Sequence, residues 1–264
     1  MSTSAPPAGL VDRLRAAGCV YAEDEAALLV EAADGADHLD RLVAERLRGT
    51  PLEQVLGWAE FCGLQVAVAP TVFVPRRRTE LLVRVALESV RPGDVVVDLG
   101  CGTGAIAAAL LAAEPSLEVW AVDIDPEAVA CARRNLPADR VLRGDLFAPL
   151  PDRLRGRVAL VAANAPYVPT AAIATMPPEA RDHEAVVALD GGPDGLEVQR
   201  RVVAGAPSWL APGGVLLVET SLPQAERTTA AMRASGLLAD VRHDPDLDGT
   251  VAAGRRRSAT PVVV

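Results

Sequence analysis

From residue 95 onward, short apolar runs alternate along the chain with amphipathic stretches that have helical spacing. The runs at 95–99 and 158–162 are apolar almost throughout, which is typical of parallel strands covered on both faces. Because strands alternate with helices, the pattern predicts parallel β-α-β units, and a short turn at 244–248 predicts an antiparallel final pair. The predicted strands of this seven-stranded α/β sheet are 95–99, 118–122, 140–142, 158–162, 215–219, 238–242 and 249–253, and the predicted helices are 79–90, 103–113, 126–134, 195–209 and 223–234.

Helical spacing of apolar residues also marks the first 50 residues. Gly49 follows the last of these stretches and can end it, because glycine readily adopts the left-handed conformation found at helix C-termini. The helix predicted at 79–90 starts at Thr79, which is expected to cap it. The N-terminal helical stretches lie near 10–17, 23–33 and 37–48.

An irregular segment separates these helices from the sheet. It begins at Pro51, and alternation at 64–68 predicts one strand of a hairpin. We therefore expect three parts, which are a small helical N-terminal domain at 1–50, a hairpin linker at 51–73 and the α/β domain at 74–264.

The composition narrows the class of protein. The chain has 264 residues, half of them hydrophobic, which is enough for one large core with a small appendage. Its formal net charge of −9 argues against direct nucleic-acid binding, because such binding relies on Lys and Arg to neutralise phosphates. The sequence shows neither a signal peptide nor a run of about 20 apolar residues that could span a bilayer. We therefore expect a cytoplasmic protein without membrane contact, and its four widely spaced cysteines predict no metal site.

A glycine-rich loop follows the first strand of the α/β domain. Gly100, Gly102 and Gly104 lie where that strand turns into a helix, so a ligand can approach the backbone closely. Asp123 ends the second strand and can accept hydrogen bonds from the two ribose hydroxyls of an adenosine. Asp98 would repel a pyrophosphate but attract the ammonium group of a methionine moiety, directly or through water. S-adenosylmethionine is therefore the favoured cofactor, ahead of a nicotinamide or flavin nucleotide and of a purely structural glycine turn.

Asp145 follows the third strand, at the place where the adenine of such a cofactor is expected. Its carboxylate can accept a hydrogen bond from the exocyclic amine while Leu146 packs on the ring, although an ordinary Asx-turn would also explain the aspartate. The predicted cofactor-binding residues are Asp98, Gly100, Cys101, Gly102, Thr103, Gly104, Asp123, Ile124, Asp145, Leu146 and Asn164.

The fourth strand ends in the tetrapeptide Asn164-Ala165-Pro166-Tyr167. Ligands of doubly wound sheets bind beyond the carboxyl ends of the strands, so Asn164 should face the methyl group of the cofactor. An amide nitrogen is a poor nucleophile, and two acceptors for its N–H groups would orient it and raise its electron density. The side-chain oxygen of Asn164 and the main-chain carbonyl of Ala165 are the predicted acceptors. Pro166 favours an extended backbone at Ala165, and Tyr167 is expected to form a wall of the substrate site. The alternative is a proline turn after the strand without a catalytic role.

Together these motifs resemble the protein-(glutamine-N5) methyltransferase family, HemK/PrmC. The resemblance covers about residues 49–254 and includes Phe73-Val74-Pro75-Arg76 and Thr79-Glu80-Leu81-Leu82. It implies a Rossmann-like class I methyltransferase fold with S-adenosylmethionine as methyl donor. It also implies a protein substrate that presents a glutamine, typically the Gly-Gly-Gln tip of class I peptide chain release factors. The sequence departs from the family's N-P-P-Y signature at Ala165.

Two other functions remain open. An adenine-N6 methyltransferase of nucleic acid needs the same pair of acceptors, although it also needs a basic groove. A non-catalytic regulator that binds S-adenosylmethionine would account for the change at Ala165. The cluster at 182–184 is expected in a loop and not at a metal, with Glu184 shaping the substrate entrance, and the arginines at 76–78 are expected to be solvated near the active face.

Overall fold

The structure is a computed structural model and describes residues 6–258. Its N-terminal part is a group of short helices that share a small apolar core. These are α1 (Leu10–Ala16), α2 (Ala22–Ala32), α3 (Ala36–Leu47) and α4 (Leu52–Leu56). Helix α4 corrects the expectation of an irregular segment after Pro51, because Leu52, Val55 and Leu56 share one helix face that packs into the same core. Gly49 follows α3 with a φ of +92°, as the predicted helix end requires.

The predicted hairpin is formed by β1 (Trp58–Phe61) and β2 (Leu64–Ala67), which are antiparallel. Cys62 and Gly63 connect them with φ angles of +51° and +74°, and a type I′ turn requires such positive φ angles at both of its central residues. Phe61 and Val66 are buried in the main core of the α/β domain. The hairpin is therefore packed onto the sheet domain, and the expected division at 1–50, 51–73 and 74–264 stays a prediction.

The central sheet has seven strands in the order β5-β4-β3-β6-β7-β9-β8. They are β3 (Val95–Leu99), β4 (Glu118–Asp123), β5 (Val141–Arg143), β6 (Val158–Ala163), β7 (Leu210–Glu219), β8 (Leu237–Asp244) and β9 (Gly249–Arg256). The first five of these run parallel, whereas β9 is antiparallel to both of its neighbours. The predicted α/β fold with an antiparallel final pair is confirmed.

Helices cover both faces of this sheet. They are α5 (Glu80–Leu87), α6 (Ala105–Ala113), α7 (Pro126–Ala132), α10 (Glu197–Trp209) and α11 (Ala225–Ala234). Two short helices, α8 (Pro178–His183) and α9 (Val186–Leu189), lie in the segment between β6 and α10. Successive strand residues point to opposite faces, so Val96 joins the core formed with α5, α6 and α7, whereas Val97 joins the core formed with α10. The carboxyl ends of the parallel strands remain open between these layers.

Several local expectations are corrected. Helix α6 begins at Ala105 and not at 103, because Gly104 has a left-handed φ of +77°. Thr79 makes no capping hydrogen bond, since its hydroxyl is engaged elsewhere. Asp182 and His183 end the short helix α8 and do not lie in a loop.

A buried arginine joins the N-terminal helices to the segment that follows β6. The guanidinium of Arg46 donates to Glu25 of α2 and to Glu179 of α8, each at 2.6 Å. Gln54 of α4 donates to the main-chain carbonyls of Val72 and His183, each at 3.2 Å. The Arg46–Glu25 pair is buried and Glu179 is half exposed, so the arginine is anchored in the helical part and holds α8 from there.

Candidate active site

A cavity of about 230 Å³ opens at the carboxyl ends of β3, β4, β5 and β6. It lies where the strand order reverses, which is the usual place for a ligand in an open α/β sheet. Twelve of the fourteen predicted site residues line its wall, and Asp98 and Gly104 do not. The twelve are Gly100, Cys101, Gly102, Thr103, Asp123, Ile124, Asp145, Leu146, Asn164, Ala165, Pro166 and Tyr167. The glycine loop and the tetrapeptide therefore face one common space.

The glycine loop presents bare backbone to the cavity. Gly100 and Gly102 have φ angles of +66° and +55°, and a Cβ on either residue would meet no atom within 4 Å. The carboxylate of Asp123 holds the loop from β4, since it accepts hydrogen bonds from the N–H of Gly102 at 2.8 Å and of Asp125 at 2.9 Å. Burial raises the pKa of Asp123, and these hydrogen bonds oppose the rise. Each carboxylate oxygen keeps a further lone pair for a ligand hydroxyl.

Asp98 and Gly104 support the loop from behind. Asp98 is fully buried, and its Oδ2 accepts a hydrogen bond from the N–H of Ala107 in α6 at 3.3 Å. Burial raises the pKa of Asp98 to about 7. The carboxylate lies outside the cavity wall and ties β3 to α6, so its expected attraction of the ammonium group, directly or through water, stays a prediction. A Cβ at Gly104 would come within 2.7 Å of the Leu136 side chain, so this glycine is needed for helix packing.

Asp145 and Leu146 line the cavity after β5. The side chain of Asp145 is about half exposed and forms an ion pair with Arg201 of α10. Leu146 adopts a φ of +48°, which is uncommon for a residue with a side chain. The pair is thus available at the cavity wall, and its contact with adenine stays a prediction.

In the tetrapeptide, the nitrogen and the oxygen of the Asn164 side-chain amide have different surroundings. The Nδ2 of Asn164 donates to the hydroxyl of Thr79 at 3.3 Å, which leaves the Oδ1 as a free acceptor. Ala165 is buried, with 2% of it exposed. Tyr167 donates its hydroxyl to Glu219 at 3.4 Å, and burial raises its pKa to about 12. Tyr167 is therefore protonated at neutral pH, so it lines the cavity and does not act as a general base.

Much of the remaining wall comes from the linker exit and from the segment after the tetrapeptide, and sequence analysis did not assign these residues to the site. Glu184 connects the two segments, since its Oε1 accepts from the N–H of Val74 at 3.0 Å and from the guanidinium of Arg76 at 2.6 Å. Arg78 pairs with Glu219, so two of the three arginines at 76–78 are not merely solvated as expected. The motif around Thr79 was a usable signal, although only through the family resemblance. The added wall residues are Phe61, Thr71, Val72, Phe73, Pro75, Arg76, Arg78, Thr79, Val122, Asp125, Ala105, Ile106, Ala128, Gly144, Val168, Met176, Ala185, Val187, Ala188, Leu189, Val198 and Arg201.

Known proteins share this arrangement. The model of the methyltransferase small domain family matches residues 64–176. A release factor glutamine methyltransferase of Geobacter sulfurreducens is 40% identical over 81% of this chain and 76% of its own length. That of Mycolicibacterium smegmatis is 42% identical over 80% of this chain and 75% of its own length. The chain belongs to the release factor glutamine methyltransferase family.

Members of this family are enzymes that take a methyl group from S-adenosylmethionine, and this chain is one of them. The open space beside Gly100 and Gly102 and the carboxylate of Asp123 fit such a cofactor. The predicted family and cofactor are confirmed, which sets aside a nicotinamide or flavin nucleotide. A solved methyltransferase of Pyrococcus furiosus supports the fold, with a TM-score of 0.57 at 17% identity over 82% of this chain and 98% of that one.

Residues 6–258 lack two further kinds of feature, a membrane-spanning helix and a cluster of metal ligands. No helix in this range combines the length and the apolar character needed to cross a membrane. Within the same range, His, Cys, Asp and Glu side chains do not gather in groups that could hold a metal ion.

Proposed function

We propose that this enzyme methylates the side-chain amide nitrogen, N5, of a glutamine in a protein, and that the protein is a class I peptide chain release factor. The observation that carries the proposal is the orientation of Asn164, whose Nδ2 is held by Thr79 while its Oδ1 is left as an acceptor at the cavity. The names of the relatives described above support the same substrate. With this substrate, the reaction takes place in the cytoplasm.

The residues of the chain act by binding and orienting the substrate amide. S-adenosylmethionine supplies a methyl group that its positive sulfur activates. The Oδ1 of Asn164 and the carbonyl oxygen of Ala165 each accept one N–H of the substrate, which aims the nitrogen and raises its electron density. The nitrogen gains the methyl group as the methyl–sulfur bond breaks and its electron pair stays on the sulfur, and the nitrogen loses one of its two protons to solvent. Since these acceptors are fixed before reaction, they contribute without a strong base.

The change from proline to Ala165 is compatible with this chemistry. The proposed acceptor is a main-chain carbonyl, which alanine retains. Ala165 is buried and is followed by Pro166, so both the surrounding protein and the following proline restrict its backbone. The substitution removes a ring that would stiffen the loop but removes no acceptor.

The test is transfer of tritiated methyl from S-adenosylmethionine to a purified release factor. We expect label in the factor that carries Gly-Gly-Gln and none in a matched factor with glutamine replaced by alanine, and mass spectrometry should locate the methyl group on that glutamine. Label in DNA or RNA and not in protein would instead identify an adenine-N6 methyltransferase. Tight cofactor binding without transfer to any lysate fraction would identify a non-catalytic regulator.

A further inference from the structure

A buried carboxylate lies behind the tetrapeptide. Glu219 ends β7 with 1% of its surface exposed, and it is not part of the cavity wall. Its Oε1 accepts from the hydroxyl of Tyr167 at 3.4 Å and lies 3.4 Å from the Nε of Arg78. Its Oε2 is buried without a donor of its own in the described part of the chain, and the Thr79 hydroxyl lies close enough to stabilise the charged carboxylate. Three side chains around Asn164 therefore converge on one negative charge.

A negative charge at this place bears on the direction of the hydrogen bond between Thr79 and Asn164. An asparagine amide can turn by half a rotation and exchange its donor end with its acceptor end. Thr79 has one proton to donate, and it already accepts from the Nδ2 of Asn164. An ionised carboxylate can only accept, so a proton that Thr79 directs toward Glu219 leaves the Thr79 oxygen free for the amide nitrogen.

We propose that Glu219 and Thr79 are positioning residues that hold the Asn164 amide with its oxygen toward the substrate. The proposal rests on the proposed function, because it assumes that the Oδ1 of Asn164 orients the substrate nitrogen. With the amide reversed, Nδ2 would face the N–H groups of the substrate, and donor would oppose donor.

Protonation of Glu219 would remove the preference for this orientation of the Asn164 amide. A neutral carboxyl can donate to Thr79, and Thr79 could then donate to Asn164 and favour the reversed amide. Arg78, from the turn before α5, and Tyr167 are the ionisable groups that face Glu219, while α10 contributes the neutral amide of Gln199, which donates to the Glu219 main-chain carbonyl at 3.2 Å. Burial raises the pKa of Glu219, and the nearby Thr79 hydroxyl, the positive charge of Arg78 and the hydrogen bond from Tyr167 oppose the rise. The rate should therefore fall as the pH drops through this raised pKa.

The experiment compares Thr79→Val, Thr79→Ser and Glu219→Gln in the methyl-transfer assay. Thr79→Val keeps the side-chain shape and should lower kcat by at least about tenfold, less than the loss on removing a group that touches the transition state. Thr79→Ser should recover most of that rate because it restores the hydroxyl. Glu219→Gln should lower kcat and abolish the acid limb of the pH profile, because it has no carboxyl to titrate. Cofactor Kd and thermal unfolding should change little in the two Thr79 variants.

A matched control is Thr229→Val in α11, where a buried threonine donates to the Glu226 carbonyl at 3.1 Å, away from the cavity. It should leave kcat and the pH profile unchanged. If Asn164→Ala is inactive but Thr79→Val and Glu219→Gln keep the normal kcat and acid limb, the positioning role is wrong and the proposed function stands. If Asn164→Ala itself keeps full activity, the catalytic assignment and the positioning role fail together.

Discussion

The two halves of the cavity are built in different ways. The half beside β3 and β4 consists mainly of backbone, namely the positive-φ glycines and the N–H groups that Asp123 holds in place. The half beside β6 depends on side chains from distant positions, since Thr79 and Asn164 are 85 residues apart and Tyr167 contacts Glu219, which lies behind the wall and is 52 residues away. A backbone cradle depends on local conformation, whereas a side-chain network depends on tertiary packing. Cofactor binding and substrate orientation should therefore respond to separate substitutions.

The largest expected effect comes from the substrate half. Asn164→Ala removes the proposed acceptor for the substrate N–H and should lower kcat by about 10³-fold, the scale found when one oriented polar group is removed from an active site. The Kd for S-adenosylmethionine should change little, because the glycine loop is untouched. Methyl-transfer kinetics and calorimetric titration measure the two quantities. A variant that lost cofactor affinity as strongly as kcat would contradict the separation of the halves.

The reverse pattern is expected in the cofactor half. Asp123→Ala removes a charged acceptor from the loop and from the ribose hydroxyls, so the Kd for S-adenosylmethionine should rise about 10- to 100-fold. At saturating cofactor, kcat should recover toward the normal value. Asp145→Ala is the comparison variant, since that carboxylate is half exposed and already paired with Arg201, and its effect should be smaller. Equal effects at the two positions would show that Asp123 has no special role.

Packing behind the glycine loop should affect stability. Gly104→Ala combines a φ of +77° with a close approach to Leu136, so it should lower the free energy of unfolding by about 2–5 kcal/mol. Gly57→Ala is a matched control, because its φ is +79° but a Cβ there would meet no atom within 4 Å. It should cost only about 1–2 kcal/mol. Denaturant unfolding measures both, and equal losses would mean that the contact with Leu136 is not limiting.

The smallest effect is expected at Ala165. Ala165→Pro restores the ring that the family usually carries and should stabilise the protein by about 0.4–1 kcal/mol, because it restricts the unfolded chain. The kcat should stay close to normal, since the main-chain carbonyl is retained. Thermal unfolding and kinetics on the same preparation test this. A loss of stability would show that neighbouring atoms occupy the volume that the proline ring needs at this buried position.

The two halves also differed in how far the sequence predicted them. The glycine loop could be recognised because its glycines and Asp123 follow consecutive strands at short spacing, and the tetrapeptide could be recognised in the same way. Thr79 was expected to cap a helix, since a threonine before a helix has two uses that only packing distinguishes. Glu219 resembled the end of an apolar strand, and no spacing linked it to Tyr167. Motifs formed by neighbouring residues can be recognised in the sequence, whereas contacts between side chains that are distant in the sequence can be identified only once the fold is known.

The missed elements have a related cause. Helices α4, α8 and α9 have five, six and four residues, which is too short for a helical period to stand out. Their positions are determined by what they pack against. Helix α8 is the one that matters most for the site, because it lies between Met176 and Ala185, which both line the cavity.

The arginine that α2, α3 and α8 share links the N-terminal helices to the cavity. Through Arg46 and its partners Glu25 and Glu179, these helices brace the segment that follows β6, and Met176 and Ala185 on either side of α8 line the cavity. A substitution in the N-terminal helices can therefore reshape one wall of the cavity while every residue of the glycine loop stays the same.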